Sequence, residues 1–214
     1  MKSLAYIFVF CLIALQHTLA QEKDSATHEL PLFNLAQYDS LLTQTITAFH
    51  NRDSHSKKLL DSCYQLNPYD TMVNALLRET LVMQLNAQRK PTQNLLDINE
   101  WENTYPFVVE DPRIQRVRIQ DAVQLGMIAF DNEKISLAAN YCQIIIKELD
   151  RAKDNSELKN IANVNSLIYN TALKLFYNKK YKSAYNLFRK GAEYYPKDEN
   201  MILMRKVSKE KSTT

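Results

Sequence analysis

Apolar residues along this chain recur at helical spacing, in paired stretches parted by short polar breaks. Leu35, Tyr38, Leu41, Leu42, Ile46 and Phe49 repeat on one face; Asn51-Arg52-Asp53-Ser54 interrupts; Leu59, Leu60, Cys63 and Leu66 resume before Asn67-Pro68. A longer segment from Asp70 to about Gln88, carrying Met72, Leu76 and Met83, breaks at Arg89-Lys90-Pro91-Thr92. Leu95, Leu96, Ile98 and Trp101 then mark a shorter helix ending before Tyr105-Pro106. After Asp111-Pro112, where proline suits a first helical turn, Ile114, Val117, Val123, Leu125 and Phe130 form a stripe. Asp131-Asn132 turns the chain, and Ile135, Ala138, Cys142, Ile145 and Leu149 return. A polar insert from Asp150 to Glu157 precedes a last pair, Ile161 to Leu175 and Tyr181 to Ala192, and a stretch from Glu199 to Val207 is placed to cap the stack.

Two of these pairs echo each other. Phe49-His50-Asn51-Arg52, followed later by Asn67-Pro68-Tyr69-Asp70, corresponds to Phe176-Tyr177-Asn178-Lys179, followed by Tyr195-Pro196-Lys197-Asp198. In the last pair Ala172, Tyr181, Ala184, Phe188, Gly191 and Pro196 alternate small and large residues where two helices must touch. Leu125-Gly126 with Ala138 keeps the same register one pair earlier. This pattern resembles the tetratricopeptide repeat, whose first helix has a small residue at the crossing, whose second carries tyrosine, alanine and phenylalanine, and which ends in proline. The resemblance implies an all-α fold, a right-handed solenoid of about four helical hairpins over residues 34–208. It also implies a binding scaffold whose ligand groove is lined by first helices. That places Gln120, Val123, Met127 and Phe130 of the third hairpin, and Tyr169, Leu173, Phe176 and Tyr177 of the fourth, toward a protein or peptide partner.

The N-terminus adds a compartment. Lys2, an apolar run from Leu4 to Leu15 and Thr18-Leu19-Ala20 before charged residues read as a cleaved secretory signal over residues 1–20, followed by an extended or disordered segment at 21–33. The run is too short to span a bilayer, and Phe8-Val9-Phe10 before Cys11 fit poorly with a lipoprotein signal. The expectation is a protein exported to the periplasm or beyond it by a bacterium, with no membrane span in its mature part.

Composition removes whole classes of chemistry. With two glycines, Gly126 and Gly191, in 214 residues, neither a dinucleotide fingerprint nor a P-loop can be written, and tight β-hairpins are disfavoured. Charge is close to balanced, at 27 Lys and Arg against 24 Asp and Glu, so attraction to nucleic acid is weak. Cys63 and Cys142 fall in second helices of non-adjacent hairpins; export permits a disulfide, but the spacing favours buried thiols.

Candidate catalytic groups do not assemble. His28, His50 and His55 lack the spacing of a zinc site, and Ser54, His55 and Asp61 match a nucleophile, base and carboxylate in type only. Glu100, Glu102, Glu110 and Asp111 around Trp101 read as a solvated helix face rather than a glycosidase pair. No enzyme, cofactor or metal is expected. A second reading makes Trp101, Tyr105 and Phe107 an exposed aromatic loop for a glycan or small ligand. Lys179, Lys180 and Lys182, with Arg205, Lys206, Lys209 and Lys211, form a basic end that suits an anionic surface or acidic partner, with residues 209–214 read as a disordered tail.

Overall fold

The computed structural model describes residues 34–88, 90–152 and 156–213; the expected signal (1–20), the segment 21–33 and His28 lie outside them. The chain divides into two units, 1–41 and 42–214. Of the first, the described residues are Asn34 and the opening turns of α1 (Leu35–His50), a helix that continues into the second unit. The second unit goes on through α2 (Ser56–Leu66), α3 (Thr71–Gln88), α4 (Pro91–Thr104), a 3-10 turn (Pro106–Glu110), α5 (Pro112–Asp131), α6 (Ile135–Arg151), α7 (Ser156–Lys159), α8 (Val164–Tyr177), α9 (Tyr181–Tyr194) and α10 (Glu199–Thr213). No strand occurs among the described residues, so the fold is all-α. No described helix is long and apolar enough to cross a membrane.

One turn is used three times. At Phe49-His50-Asn51-Arg52-Asp53 the amide of Asp53 donates to the carbonyl of Ala48 (2.9 Å), and that of Arg52 to Phe49 (3.1 Å). The same pair of bonds runs from Lys134 to Ala129 and Glu133 to Phe130, and from Lys180 to Leu175 and Lys179 to Phe176, each at 2.9 Å. This is a Schellman closure, and its left-handed residue is Arg52 (φ 56°), Glu133 (φ 58°) or Lys179 (φ 60°), never glycine. The carbonyls that a helix end leaves bare are thereby satisfied within the turn.

A second junction recurs between hairpins. Asn67, Tyr105 and Tyr195 each precede a proline, which disfavours helix in the residue before it. Each closes its helix with an amide bond to the fourth residue back, Cys63, Trp101 or Gly191. An aspartate then starts the next long helix: Asp70 Oδ1 accepts from the amides of Met72 (2.8 Å) and Val73 (3.0 Å), Asp111 from Arg113 (2.9 Å) and Asp198 from Met201 (3.0 Å).

Packing follows chain order. Helix α5 packs on α6, α6 on α8, α8 on α9 and α9 on α10; α5 also touches α8, and α8 touches α10. Earlier, α2 packs on α3, and both α3 and α4 reach α5. The core of α5, α6 and α8–α10 joins Ile119, Ala122, Cys142, Ile145, Leu167, Ile168, Phe188 and Met201. Each large apolar side chain enclosed this way contributes about 1.5–3 kcal/mol. Close approach needs the small residues: a β-carbon on Gly126 would lie 2.6 Å from Leu167 Cδ2 and 3.2 Å from Tyr141 Cβ, and Ala138, Ala172 and Ala184 are fully buried.

Three boundaries differ from the sequence expectation. Pro91, read as part of a break, opens α4 as its first residue. Within the polar insert α7 forms; Leu158 is buried, Arg116 pairs with Glu157 (2.8 Å), and the Tyr195 hydroxyl, its phenol pushed up to about 12 by burial, donates to the Lys159 carbonyl (2.8 Å). The C-terminal residues read as a tail continue α10 to Thr213, with Ser208 buried on its inner face.

Candidate functional site

The expected groove residues fall on α5 and α8, two first helices that touch. Gln120 is exposed, and Met127, Tyr169 and Leu173 are half-buried against the core. Tyr177 is 70 % exposed at the end of α8, with its ring edge-on to Phe176 at 6.1 Å. Tyr169 sets its ring against Phe188 at 5.8 Å, so only part of it is free to meet a ligand. Val123 is core, and Phe176 is partly consumed by Tyr181 at 5.1 Å. Of the hairpin-packing residues, Gly126, Ala138, Ala172, Ala184 and Phe188 are buried, Leu125 and Tyr181 half-buried, and Pro196 exposed in its turn.

Two of the three aromatics expected on an exposed loop around Trp101 are buried. Trp101 is 6 % accessible and Tyr105 4 %. The Tyr105 hydroxyl donates to Asp61 Oδ1 at 2.5 Å, and its ring meets Tyr64 at 5.1 Å and Phe107 at 5.8 Å. Burial, with Asp61 beside it, pushes this phenol well above its ordinary range. The cluster joins α2 to the end of α4; Phe107, the third residue of the expected loop, is half-buried, with the Arg78 guanidinium 5.1 Å from its ring centre.

Asp61 is therefore engaged with Tyr105 and Lys57 (2.9 Å), away from Ser54 and His55. His55 instead meets Asp53 at 3.0 Å in an exposed turn, where Asp53 Oδ1 also accepts the His55 amide. Among the described residues no three His, Cys, Asp or Glu side chains gather as metal ligands. Cys63 and Cys142 are separate buried thiols; burial pushes Cys142 up to about 12, so it is a poor nucleophile.

Two of the four acids read as solvated are structural. Asp111 is buried at the start of α5, paired with Arg113, which also reaches Glu79. Glu102, on α4, joins a charge network that the sequence reading missed. Arg118 of α5 bonds to Glu102, to Glu148 of α6 (2.8 Å) and to Asn99 (2.9 Å); Arg151 of α6 closes the ring on Glu102 (2.5 Å) and Glu148 (2.8 Å). Arg118 is 3 % exposed and Glu148 1 %. Burial works against the Glu102 carboxylate, but the Arg118 and Arg151 guanidiniums outweigh it and hold the group below its ordinary 4.5. The signal was present: Arg118 stands four residues from both Ile114 and Ala122, inside the apolar stripe of α5.

A groove of about 850 Å³ runs between α6 and α9, the second helices of their hairpins, with Lys147, Asp150, Arg151, Arg189, Lys190 and Glu193 in its walls. Its charges largely satisfy one another: Lys190 pairs with Asp150 (2.9 Å) and Glu193 (3.1 Å), and Arg189 with Glu193 (2.8 Å). A cavity of about 440 Å³ lies beside the start of α8, lined by Asn160, Asn163, Asn165, Tyr169, Asn170 and others. Searches against protein-family models, characterised proteins and solved structures find no match to this chain.

Proposed function

We propose that this protein is a non-enzymatic binding scaffold, a tetratricopeptide-like right-handed helical stack that holds a protein or peptide segment along α5 and α8 in the bacterial cell envelope. The observation that carries the reading is the turn shared by three hairpins, with identical hydrogen bonds at Asn51-Arg52, Asn132-Glu133 and Asn178-Lys179. Hairpins closed alike and stacked in order present their first helices side by side, and repeat stacks of this kind bind partners along such a surface. Tyr177 supplies an exposed aromatic anchor there, with Gln120, Met127, Tyr169 and Leu173 along the same two helices. Export rests on the N-terminal pattern of residues 1–20.

A photo-crosslinking residue at Tyr177 or Gln120, in protein expressed with its own N-terminus, tests the reading. The expected result is one dominant protein adduct from both positions and none from Gln143, on the opposite helix layer. Fractionation of the same cells is expected to place the protein in the envelope or medium. Adducts spread evenly over all three positions, or no protein adduct from a folded sample, would sink the scaffold reading.

A further inference from the structure

Chain order scatters the lysines of the fourth hairpin and the last helix; the fold collects them. Gly191, near the end of α9, faces Met201, near the start of α10, at a distance that leaves 2.6 Å between a β-carbon and the Met201 sulfur. With only residues 195–198 between them and each packed along the other, those two helices run antiparallel, so the last turns of α10 return toward the end where α9 begins. Lys209 and Lys211 on α10 thus join Lys182 at the start of α9, Lys179 and Lys180 in the turn, and Lys174 in the last turn of α8, all exposed. Lys180 Nζ reaches Ser136 Oγ (3.2 Å), which ties this end to the first turn of α6, where Leu137 is exposed. Tyr177 projects from the same end.

Over the stretches 174–183 and 207–213 the only acid is Glu210; the neighbouring α5–α6 turn adds the exposed Asp131, Glu133 and Lys134 at its edge. The whole chain is formally +3, and these two stretches account for that excess, leaving the remainder close to balance. The exposed charges of the patch are lysines, on helix ends and a turn, with Arg205 half-buried one turn before Lys209, and the cavities described above lie elsewhere. Protein interfaces deplete lysine and favour arginine and shaped pockets. An exposed lysine cluster with an exposed tyrosine and leucine beside it suits a lipid headgroup layer: each lysine gains from the surface potential, and a phenol sits at the interface.

From this we infer that the end of the molecule carrying Lys174, Lys179, Lys180, Lys182, Lys209 and Lys211 docks on an anionic membrane surface, with Tyr177 entering the headgroup region. Docking of this kind is peripheral and reversible. It needs no protein partner, though it draws on Tyr177, which the scaffold reading also uses as an anchor; the lysine triple leaves Tyr177 intact and so tests docking apart from that reading.

The test is co-sedimentation of the full chain with vesicles of phosphatidylglycerol and phosphatidylcholine in equal parts, against phosphatidylcholine alone, which reports any uncharged contribution from the apolar run Leu4 to Leu15. Stronger partition into the anionic vesicles is expected, lost as salt approaches about 1 M, where screening acts within about 3 Å. The triple change Lys179→Gln, Lys180→Gln, Lys182→Gln is expected to lower anionic partition about a hundredfold, at about 1 kcal/mol per charge. The same positions changed to arginine are expected to keep it, and Tyr177→Ala to lower it less than the triple does. All variants are exposed-site changes whose helix content circular dichroism checks. Equal partition into both vesicles, an unchanged glutamine triple, or equal loss in the glutamine and arginine triples would overturn the inference; so would retention on polyglutamate in place of vesicles.

Discussion

Arg118 and Glu148 stand on apolar stripes, where two charges are tolerated only because each is answered. Removing Arg118 leaves Glu148, which water cannot reach, with only Arg151 of the network to answer it, and that is costlier than removing both Arg118 and Glu148. Arg118→Met is expected to destabilise the protein by about 1–3 kcal/mol, less than for an unanswered charge because Arg151 stays on Glu148, read as a shift of the urea midpoint. The double change Arg118→Met with Glu148→Leu is expected to recover most of that loss, because Glu102 and Arg151 still pair with each other at the rim. At this scale the sequence was least informative. Glu102 next to Trp101 reads as one more surface acid, and only the approach of α5 and α6 to α4 shows otherwise; burial of a charge is a property of neighbours distant in the chain. Trp101 and Tyr105 failed for the same reason: an aromatic loop bracketed by acids looks exposed until Tyr64 and Asp61, from another hairpin, are found against it.

Elements were far more legible, since helix faces and stops are local. The stripe Ile135, Ala138, Cys142, Ile145, Leu149 is buried throughout, and the X-Pro stops at Asn67, Tyr105 and Tyr195 fall where the sequence placed them. The echo between Phe49-His50-Asn51-Arg52 and Phe176-Tyr177-Asn178-Lys179 was readable; its third copy, Phe130-Asp131-Asn132-Glu133, shares only phenylalanine and asparagine with them and became evident through backbone geometry. Each copy puts a residue with a β-carbon into the left-handed region, at a cost of roughly 1 kcal/mol relative to glycine. Arg52→Gly, Glu133→Gly and Lys179→Gly are each expected to raise stability by about 0.5–1 kcal/mol, the gain reduced by the extra freedom glycine gives the unfolded chain. Lys180 reaches Ser136, so the turns at Glu133 and Lys179 are neighbours, and the triple variant is expected to gain less than the sum, seen as a higher thermal midpoint.

For the molecule as a whole, acid stability follows from which carboxyls are answered. Burial pushes Asp121 above its ordinary 3.8, only partly offset by the donor Asn94, whereas Glu102 and Asp111 are held low by arginines that outweigh their burial. A raised carboxyl makes folding more favourable as it takes up its proton; a depressed one supports folding above its unfolded value and withdraws that support as pH falls through its folded value. The urea midpoint is therefore expected to rise slightly on acidification from neutrality toward about pH 4, then to drop steeply below it. Asp121→Asn is expected to abolish the rise and leave the drop. The three shared turns bear also on how long a molecule lasts once made. Asn51, Asn132 and Asn178 are each followed by the left-handed residue. Spontaneous deamidation proceeds when the following backbone nitrogen attacks the asparagine side-chain carbonyl and closes a succinimide, and a glycine in that following position is the most permissive arrangement. By carrying arginine, glutamate and lysine there, the chain accepts conformational strain and hinders the ring closure, so a glycine variant that melts later would age faster on the shelf.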